Sequence, residues 1–434
     1  MATLQSKLEE LVPQWRETRS KLLKDKGNKV IGEVTVEQAF GGMRSVKGMI
    51  CDTSVVDPGS GVSFRGKPLL DIQDLYPEQT FCLLLTGEVF PMDSDVIKNY
   101  QREMDRRAQV PDYVFNILEA MPSGSHPMTM LSTAILAMQK ESTFAAEYAT
   151  GKMRKQDYWL YTLDDSLNLL AKVPGIAAAI YRLVYDKGGY INWTAGLDYG
   201  ANYANMLGLP DPTGTFADLM RLYLHFHSDH EAGNVSANTC HTVGSALSDA
   251  YYSVSAGLNG LAGPLHGLAN QECIAWVLEL NEKYNGTPTE DQIRDMAFET
   301  LRAGQVIPGY GHAVLRVTDP RFTGFNTFGR KHFPEDPVFK TVDNVFKVVP
   351  KVLEAYSAER VKEGRGAIAN FWPNVDAGSG ALLYHYGLTE QSYYTVLFSV
   401  SRSMGMLSQL IWNRAVGTAL TRPKSVSMKY VADM

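Results

Sequence analysis

Apolar residues recur at helical spacing along most of the chain. The first such stretch covers 4–23, with apolar residues three or four positions apart, and it ends near Gly27. Further helical segments, separated by proline and glycine, are 95–109, 128–139, 158–171, 215–227, 290–303, 337–363 and 390–420. Because long alternating runs of β-branched residues do not occur, the pattern predicts an all-α, multi-helix fold and not an α/β sheet.

One short stretch near the N-terminus departs from this periodicity. The apolar triplets 49–51 and 62–64 flank the turn-forming sequence Asp-Pro-Gly-Ser-Gly at 57–61, which predicts a short β-hairpin. Residues 61–67 also match the first seven positions of a phosphate-binding loop, but the eighth is Pro68, where magnesium binding requires serine or threonine. We therefore expect a hairpin arm here and no nucleotide site.

Composition and charge exclude several classes of protein. The 434 residues are 45% hydrophobic and 20% charged, so the chain can bury a sizeable core. A net charge of −6 argues against a nucleic-acid-binding surface. The stretch 250–271 is uncharged and long enough to cross a membrane, but its tyrosine, serine, asparagine and histidine residues favour an interior helix. Four cysteines without a CxxC pair are expected to be free thiols.

Three histidines, His225, His227 and His230, lie close together and raise the question of a metal site. On a helix, His227 and His230 share a face while His225 points away, and no HExxH pattern follows. Cys240 and His241 are neighbours, and neighbouring side chains on a helix diverge, so they do not form a catalytic dyad by themselves. We expect no metal; a helical metalloprotein built on the histidines is an alternative that elemental analysis would test.

Three segments each place one titratable residue beside glycine in an otherwise apolar run. They are 261–270 around His266, 308–314 around His312, and 373–380 around Asp376. Glycine permits close approach of the backbone to a ligand, and His and Asp are the usual proton-transfer groups. Any one of them could be a buried polar residue with its hydrogen bonds made within the fold. Because the same pattern occurs three times, the sequence predicts a proton-transfer site.

Arginines supply a second indication of chemistry. Arg402 interrupts the apolar helix predicted over 390–420, and no Asp or Glu occurs at 391–432 to pair with it. A buried guanidinium without an anionic partner is costly, so the partner must come from elsewhere in the fold or from a ligand. Arg321 and Arg422 are further candidates for carboxylate recognition.

The order of motifs resembles the citrate synthases of the mitochondrial type. The segments that carry the resemblance are 31–46, His227-Ser-Asp-His-Glu, Asn234-Val-Ser-Ala, 257–270, 308–316, 373–380, 393–402 and Arg422-Pro-Lys-Ser. They occur in order over nearly the whole chain, and their combination is far more specific than any single one. The resemblance implies a two-domain citrate synthase fold, with a large helical domain of residues 1–266 and 377–434 and a small mobile domain of residues 267–376.

The resemblance also implies a reaction. In that family acetyl-CoA and oxaloacetate undergo a Claisen-type condensation to citryl-CoA, which is then hydrolysed to citrate and CoA, the first step of the tricarboxylic acid cycle. Asp376 matches the base, His266 the residue that stabilises the enol or enolate, and His312 the residue that polarises the ketone and protonates the alkoxide. The resemblance implies no metal and no redox cofactor. The CoA thioester is a substrate and not a cofactor.

The remaining site residues follow from the same resemblance. The residues that match the substrate-carboxylate ligands are His230, Arg321, Arg402 and Arg422, the last supplied by the partner subunit of a homodimer. The residues that match CoA contacts are Arg44, Val306, Gly309, Tyr310, Gly311 and Asn374, with Arg154 as a weaker candidate because its spacing differs. No nucleic acid and no membrane is implied as a partner.

Two features depart from the family pattern. The segment 356–370, with Arg360, Lys362 and Arg365, is longer than in animal enzymes, so the cation that contacts the CoA phosphate there stays open. Gly378 stands where many relatives have histidine, and we expect a local effect on hydration or loop stiffness with activity retained.

Alternative functions and the compartment stay open at this point. A 2-methylcitrate synthase would use propionyl-CoA with the same trio, and one methylene discriminates by only about 1–3 kcal/mol. A catalytically silent homologue that binds CoA or a tricarboxylate would lack a member of the trio, and all three are present. The resemblance implies the mitochondrial matrix, although residues 1–10 carry neither a secretory nor an Arg-rich targeting pattern.

Overall fold

Helices build nearly all of the protein in the computed structural model, which describes residues 2–312 and 314–434. The structure is 62% helical with 3% strand, which confirms the predicted all-α class. The helices of the first half are α1 (Leu4–Lys26), α2 (Val36–Phe40), α3 (Pro77–Thr86), α4 (Asp95–Arg107), α5 (Asp112–Ala120), α6 (Pro127–Ala137), α7 (Thr143–Ala149), α8 (Tyr158–Val184), α9 (Tyr199–Leu207) and α10 (Thr215–Phe226). Those of the second half are α11 (Val235–Ser245), α12 (Ala250–Leu261), α13 (Ala269–Lys283), α14 (Glu290–Arg302), α15 (Pro320–His332), α16 (Pro337–Lys362), α17 (Asp376–His385), α18 (Tyr394–Val416) and α19 (Met428–Ala432).

The centre of the fold is α18. Every one of its 23 residues is buried, because α8, α11, α12, α3 and α10 pack around it. A helix that is apolar on all sides must lie inside the protein, which is what the apolar run at 390–420 predicted. The buried Arg402 is therefore held in the middle of the core.

One further stretch has the length and composition of a membrane span. Lys155–Val184 meets those criteria, but 67% of its most apolar window is buried within the protein. Burial of that kind is typical of a core helix, and α8 packs against α18, α9, α4 and α6. The uncharged stretch 250–271 forms the largely buried helix α12, the loop after it and the first residues of α13.

A second group of helices packs together apart from the helices around α18. Helices α13, α14, α15, α16 and α17 contact one another. Helix α17 belongs to this group by its packing, since its partners are α13, α15 and α16.

The Gly-rich segment 376–380 is helical. It forms the first part of α17. A Cβ on Gly380 would lie 2.4 Å from Asn270 Oδ1, so the missing side chain permits close packing of α17 on α13. Gly378 is buried, and a Cβ there would lie 3.1 Å from the Phe322 ring. A histidine at position 378 would therefore require Phe322 to move.

The predicted β-hairpin is present with a shifted first arm. Strand β1 (Ser54–Asp57) is antiparallel to β2 (Gly61–Phe64), which also pairs with β3 (Lys67–Pro68). Residues 49–51, expected in the first arm, form no strand. At the turn, Asp57 pairs with Gly61. Phe64, the last residue of β2, pairs with Ser54, so β1 begins at Ser54. The segment that resembled a phosphate-binding loop is β2 and the turn after it.

The three histidines of the suspected metal cluster have separate surroundings. His225 Nδ1 lies 2.7 Å from Thr80 Oγ1, and His227 stacks on Tyr223 with ring centroids 4.1 Å apart. Within residues 2–312 and 314–434, no group of three His, Cys, Asp or Glu side chains is arranged to hold a metal ion. All four cysteines are free, as predicted.

Candidate active site

His266 lies in the loop between α12 and α13. The backbone N–H groups of His266 and Gly267 both donate to the Gly263 carbonyl, at 3.0 and 3.2 Å. The N–H of Ser236 lies 3.3 Å from His266 Nε2, and an amide N–H can only donate, so Nε2 is an acceptor. Burial, helped by the charge of Arg402, lowers the pKa of His266 to about 4. The ring is therefore neutral, with its proton on Nδ1.

His312 has the opposite tautomer. Its Nδ1 accepts the backbone N–H groups of Val314, at 3.0 Å, and Leu315, at 2.9 Å. Burial, together with the charge of Arg321, lowers the pKa of this histidine to about 4. The neutral ring therefore carries its proton on Nε2, which can donate a hydrogen bond to a ligand.

Asp376 is the first residue of α17 and is joined to the His312 loop by hydrogen bonds. The N–H of Asn374 donates to the Gly309 carbonyl at 2.8 Å, and its side-chain amide donates to the Gly311 carbonyl at 3.1 Å. The N–H of Asp376 donates to Asn374 Oδ1 at 3.0 Å. Two motifs that are more than 60 residues apart in sequence thus form one unit.

The environment of Asp376 favours the protonated form. Burial raises the pKa of its carboxyl to about 7, against the opposing charges of Arg321 and Arg402. A carboxyl with a pKa near neutrality is well suited to general-base catalysis. Within the described residues the Asp376 carboxyl forms no ion pair and accepts no side-chain hydrogen bond, either of which would bring its pKa back toward the usual value.

Gly309 shows why glycine is needed in the His312 motif. Its φ is +77°, and a Cβ there would lie 2.6 Å from Cys273 Sγ and 2.7 Å from Ala377 Cα. Any side chain would push the loop away from α17. The glycine therefore sets the distance between the His312 loop and the helix that begins at Asp376.

His230 lies beside His312, with ring centroids 5.5 Å apart. Asp229 anchors its loop by accepting hydrogen bonds from Thr53, Ser54 and Gln409 side chains, at 2.5, 2.8 and 2.8 Å. Among the described residues, His230 Nε2 is a buried nitrogen without a hydrogen-bond partner.

The pKa of His230 reflects both burial and nearby charge. Burial is the largest cause that lowers this pKa well below its usual value, and the cationic charges of Arg321 and Arg402 lower it further. Two guanidinium groups from different parts of the chain therefore act on a single imidazole.

Arg402 is 1% exposed and has no acidic partner within the described residues. Its Nε donates to the His227 carbonyl at 3.0 Å, and its Nη1 donates to Asn234 Oδ1 at 3.1 Å. Its guanidinium also lies over the Phe398 ring, 4.8 Å from the centroid. Burial lowers the pKa of Arg402 to about 10, so it remains a cation at neutral pH. A carboxylate ligand would supply the missing negative charge.

Arg321 is paired on one side. Its Nη2 lies 2.7 Å from Asp319 Oδ2, and its Nε lies 3.0 Å from Asp319 Oδ1. Both side chains are buried. The pair orients the guanidinium and leaves Nη1 outside the pair.

Within the described residues, no side-chain hydrogen bond joins this cluster to four other predicted ligands. Arg422 is exposed and forms no hydrogen bond or ion pair within the described residues. Arg44 is exposed in the turn after α2, and Val306 is 76% exposed. Tyr310 is half-buried and forms an isolated β-bridge with Pro373.

Several residues of the site had no role assigned from the sequence. Asn234 and Ser236 lie in a segment that carried the family resemblance, and Asp319 precedes a proline as helix-capping residues often do. Phe398 gave no signal, because one more apolar residue in an apolar helix is unremarkable. Arg316 donates to the carbonyls of His312, Val314 and Leu315 and so braces the His312 loop.

Comparisons with known proteins identify the family of the chain. A family profile described as "Citrate synthase, C-terminal domain" matches residues 42–424. The chain is 46% identical to "Citrate synthase 4, mitochondrial" of Arabidopsis thaliana, over 99% of this chain and 90% of that protein. It is 48% identical to "Citrate synthase, mitochondrial" of Saccharomyces cerevisiae, over 98% and 88%. It is 47% identical to "2-methylcitrate synthase, mitochondrial" of Yarrowia lipolytica, over 99% and 92%.

Solved structures show the same fold. The citrate synthase of Pyrobaculum aerophilum aligns with a TM-score of 0.77 at 24% identity, over 92% of this chain and 95% of that one. That of Thermoplasma acidophilum, a ternary complex with carboxymethyl coenzyme A and oxaloacetate, aligns with a TM-score of 0.73 at 22% identity, over 92% and 96%. From its fold, the profile match and relatives of almost equal length, the chain belongs to the citrate synthase family of enzymes.

Proposed function

We propose that this enzyme condenses acetyl-CoA with oxaloacetate to citryl-CoA and hydrolyses that thioester to citrate and CoA. One observation supports this above all others. Two neutral imidazoles of opposite tautomer, on His266 and His312, share a site with a carboxyl whose pKa is near 7. The condensation needs one base and two hydrogen-bond donors, and these groups match those needs.

The first step is removal of a methyl proton from acetyl-CoA. The Asp376 carboxylate takes the proton, and the electron pair of the C–H bond moves toward the thioester oxygen. The Nδ1–H of His266 donates to that oxygen and stabilises the developing enolate or enol. Ser236 holds His266 in the tautomer that makes this possible.

The second step forms the carbon–carbon bond. The enol carbon attacks the ketone carbon of oxaloacetate, whose oxygen accepts a hydrogen bond from His312 Nε2–H. As the alkoxide develops, this proton passes to it, and the His312 ring regains a proton from solvent while Asp376 releases the proton that it took from the methyl group. Water then cleaves the thioester of citryl-CoA, giving citrate and CoA as the free thiol. The two proton transfers of the condensation use Asp376 and His312, and the proposed steps include no metal or redox cofactor.

Cationic and neutral donors around the cluster would bind the substrate carboxylates. We assign His230, Arg321 and Arg402 to this role. Within the described residues, His230 Nε2 has no hydrogen-bond partner and Arg402 has no acidic partner. Arg321 keeps Nη1 outside its pair with Asp319. The substrate carboxylate would neutralise the positive charge of Arg402 in the core, as Asp319 neutralises that of Arg321.

The proposal includes a homodimer in which Arg422 enters the site of the second copy. Two segments of the chain support it, because they are exposed yet carry large apolar side chains that a second copy would cover. The N-terminal segment has Val30, 76% exposed, and Phe40, 72% exposed, and the C-terminal segment has Met428, 76% exposed.

We also propose a division into a large domain and a small mobile domain that closes over oxaloacetate. Packing of α17 against α13, α15 and α16 favours moving the second boundary from residue 376 to the loop after His385. Closure would exclude water until the new bond has formed.

CoA would bind against the His312 loop, where backbone groups can contact the adenine. The residues proposed for it are Arg44, Val306, Gly309, Tyr310, Gly311 and Asn374. We propose the mitochondrial matrix as the compartment, because relatives of similar length are named as mitochondrial.

The test is release of free thiol from acetyl-CoA by the purified protein, with and without oxaloacetate. Release that requires oxaloacetate is the expected result. Release without oxaloacetate would point to a simple thioesterase, and no release from a folded dimer would point to a silent homologue.

A second candidate, 2-methylcitrate synthase, has one observation in its favour, the 47% identity to the Yarrowia lipolytica protein of that name. Comparing kcat/KM for acetyl-CoA and propionyl-CoA at saturating oxaloacetate separates the two. A preference for propionyl-CoA would replace the primary proposal.

A further inference from the structure

The segment 417–422, which we call the strap, leaves α18 and leads to Arg422. Its first four residues form one wall of a cavity of about 560 Å³. The opposite walls are the ends of α11 and α18 and the start of α8, represented by Ser245, Leu410 and Tyr158. Because open space lies behind it, the strap has little packing to fix its course.

Two hydrogen bonds hold the strap at its last residue before Arg422. The N–H of Thr421 donates to Ser245 Oγ at 3.0 Å, and Thr421 Oγ1 lies 2.9 Å from His241 Nε2. Both partners are on α11, the helix whose N-terminus carries Ser236 of the active site.

The tautomer of His241 is set from its other side. Its Nδ1 lies 2.8 Å from Asn413 Nδ2, and an amide nitrogen can only donate, so Nδ1 accepts. The proton of the neutral ring is then on Nε2 and is donated to Thr421 Oγ1. Burial lowers the pKa of His241, which favours the neutral form that this pattern requires.

We propose that His241 and Thr421 are positioning residues that aim Arg422 at the carboxylate of oxaloacetate in the second copy's site. The inference rests on the proposed function, in which Arg422 crosses between copies. Arg422 is exposed and unpaired within the described residues, so the direction of its side chain depends on the backbone that Thr421 anchors. A guanidinium must reach a carboxylate within hydrogen-bond distance, and a loose strap would populate that geometry less often.

The experiment compares Thr421→Val with Thr421→Ser in the full-length dimer. Valine matches the shape of threonine without the hydroxyl, whereas serine keeps it. We expect Thr421→Val to raise KM for oxaloacetate about fivefold to tenfold, the loss of one hydrogen bond, with kcat changed less. Thr421→Ser should stay within about twofold of the parent by the same measure. The control is Thr418→Val, because Thr418 is an exposed strap residue whose hydroxyl, among the described residues, donates only to the Asn413 carbonyl.

A double-mutant cycle separates positioning from a merely structural role. In an Arg422→Leu background, Thr421→Val should leave KM for oxaloacetate unchanged, because no guanidinium remains to be aimed. An equal effect of Thr421→Val in both backgrounds, or none in either, would overturn the inference. His241→Phe should behave as Thr421→Val does, with a dimer confirmed by sedimentation.

The single variant Arg422→Leu shows which proposal has failed. If it raises KM while Thr421→Val does not, only the inference is wrong. If Arg422→Leu leaves KM unchanged, the role of Arg422 in the proposed function is wrong, and the inference falls with it.

Discussion

Replacing Arg402 by leucine tests the part of the site that the core holds most tightly. The guanidinium is 1% exposed, donates to the His227 carbonyl and Asn234 Oδ1, and lies over Phe398. It forms no ion pair with an acid among the described residues. We expect the substitution to weaken oxaloacetate binding far more than it weakens the fold.

The magnitude follows from two separate losses. A charge-assisted pair with a substrate carboxylate contributes about 2–4 kcal/mol when one partner is removed, which corresponds to about 30-fold to 1,000-fold in Kd. On the fold, the variant leaves the His227 carbonyl without its donor, at about 1–3 kcal/mol, whereas Asn234 Oδ1 still accepts from Ser236 and Ala237. Relief from burying an unpaired cation offsets part of that cost, since burial already lowers the pKa of Arg402 to about 10.

Arg414→Leu is a matched control on the same helix. Arg414 is 8% exposed, its pKa is likewise lowered to about 10 by burial, and it lies over the Phe144 ring at 4.8 Å. Twelve residues of helix place it about 18 Å from Arg402 along the axis. It should lose stability to a similar extent while keeping oxaloacetate affinity.

The assay is isothermal titration of oxaloacetate into each folded dimer, with urea unfolding for stability. A change of less than threefold in the Kd of Arg402→Leu would refute the assignment and make Arg402 a structural residue. An equal loss of affinity in Arg414→Leu would show that the effect comes from general disturbance of α18.

Four further outcomes are expected. Asp376→Asn should lower kcat by about 100-fold to 10,000-fold while oxaloacetate still binds, and near-normal thiol release would refute its role as the base. Because burial raises the pKa of Asp376 to about 7, kcat/KM for acetyl-CoA should fall as pH drops below about 7, and a flat profile from pH 6 to 8 would contradict this. Because the pKa of the Asp376 carboxyl is higher in the folded state, its contribution to folding stability is fully present below the unfolded pKa of 3.8. That contribution is lost as pH rises through about 7. Asp376→Asn should therefore raise Tm more at pH 8 than at pH 5, as scanning calorimetry would show. Gly405→Ala should destabilise the protein by about 1–3 kcal/mol in urea unfolding, because the Cβ would lie 2.2 Å from the Ser228 carbonyl oxygen. Gly366→Ala, where a Cβ meets open space, should be nearly neutral, and equal losses would show that the contact is not the cause.

Much of the fold could be predicted from periodicity. The apolar run that became α18 is distinct because a helix buried on all sides needs apolar residues at every position. Helix α8 was predicted only as far as 171, yet it continues through Pro174 to Val184. Tertiary packing overrode the local cost of proline there.

The glycines show where reading by composition fails. Glycine in a sequence is equally consistent with a flexible hinge and with close packing, since both need a missing side chain. At 376–380 the structure decides for packing, because a Cβ on Gly380 would meet Asn270. The chain itself offers no local signal for that contact, which joins residues far apart in sequence.

The sequence by itself determined the fold class, the chemically active residue types and the lack of a nearby acid for Arg402. These depend on periodicity and on local composition, which are properties of neighbouring residues. Only the tertiary structure decided which nitrogen of each active-site histidine carries the proton. The tautomer of His266 depends on the Ser236 N–H, 30 residues away, and the pKa of Asp376 depends on how deeply packing buries it. Protonation states follow from the environment that distant segments create together, so they exist only once the chain has folded.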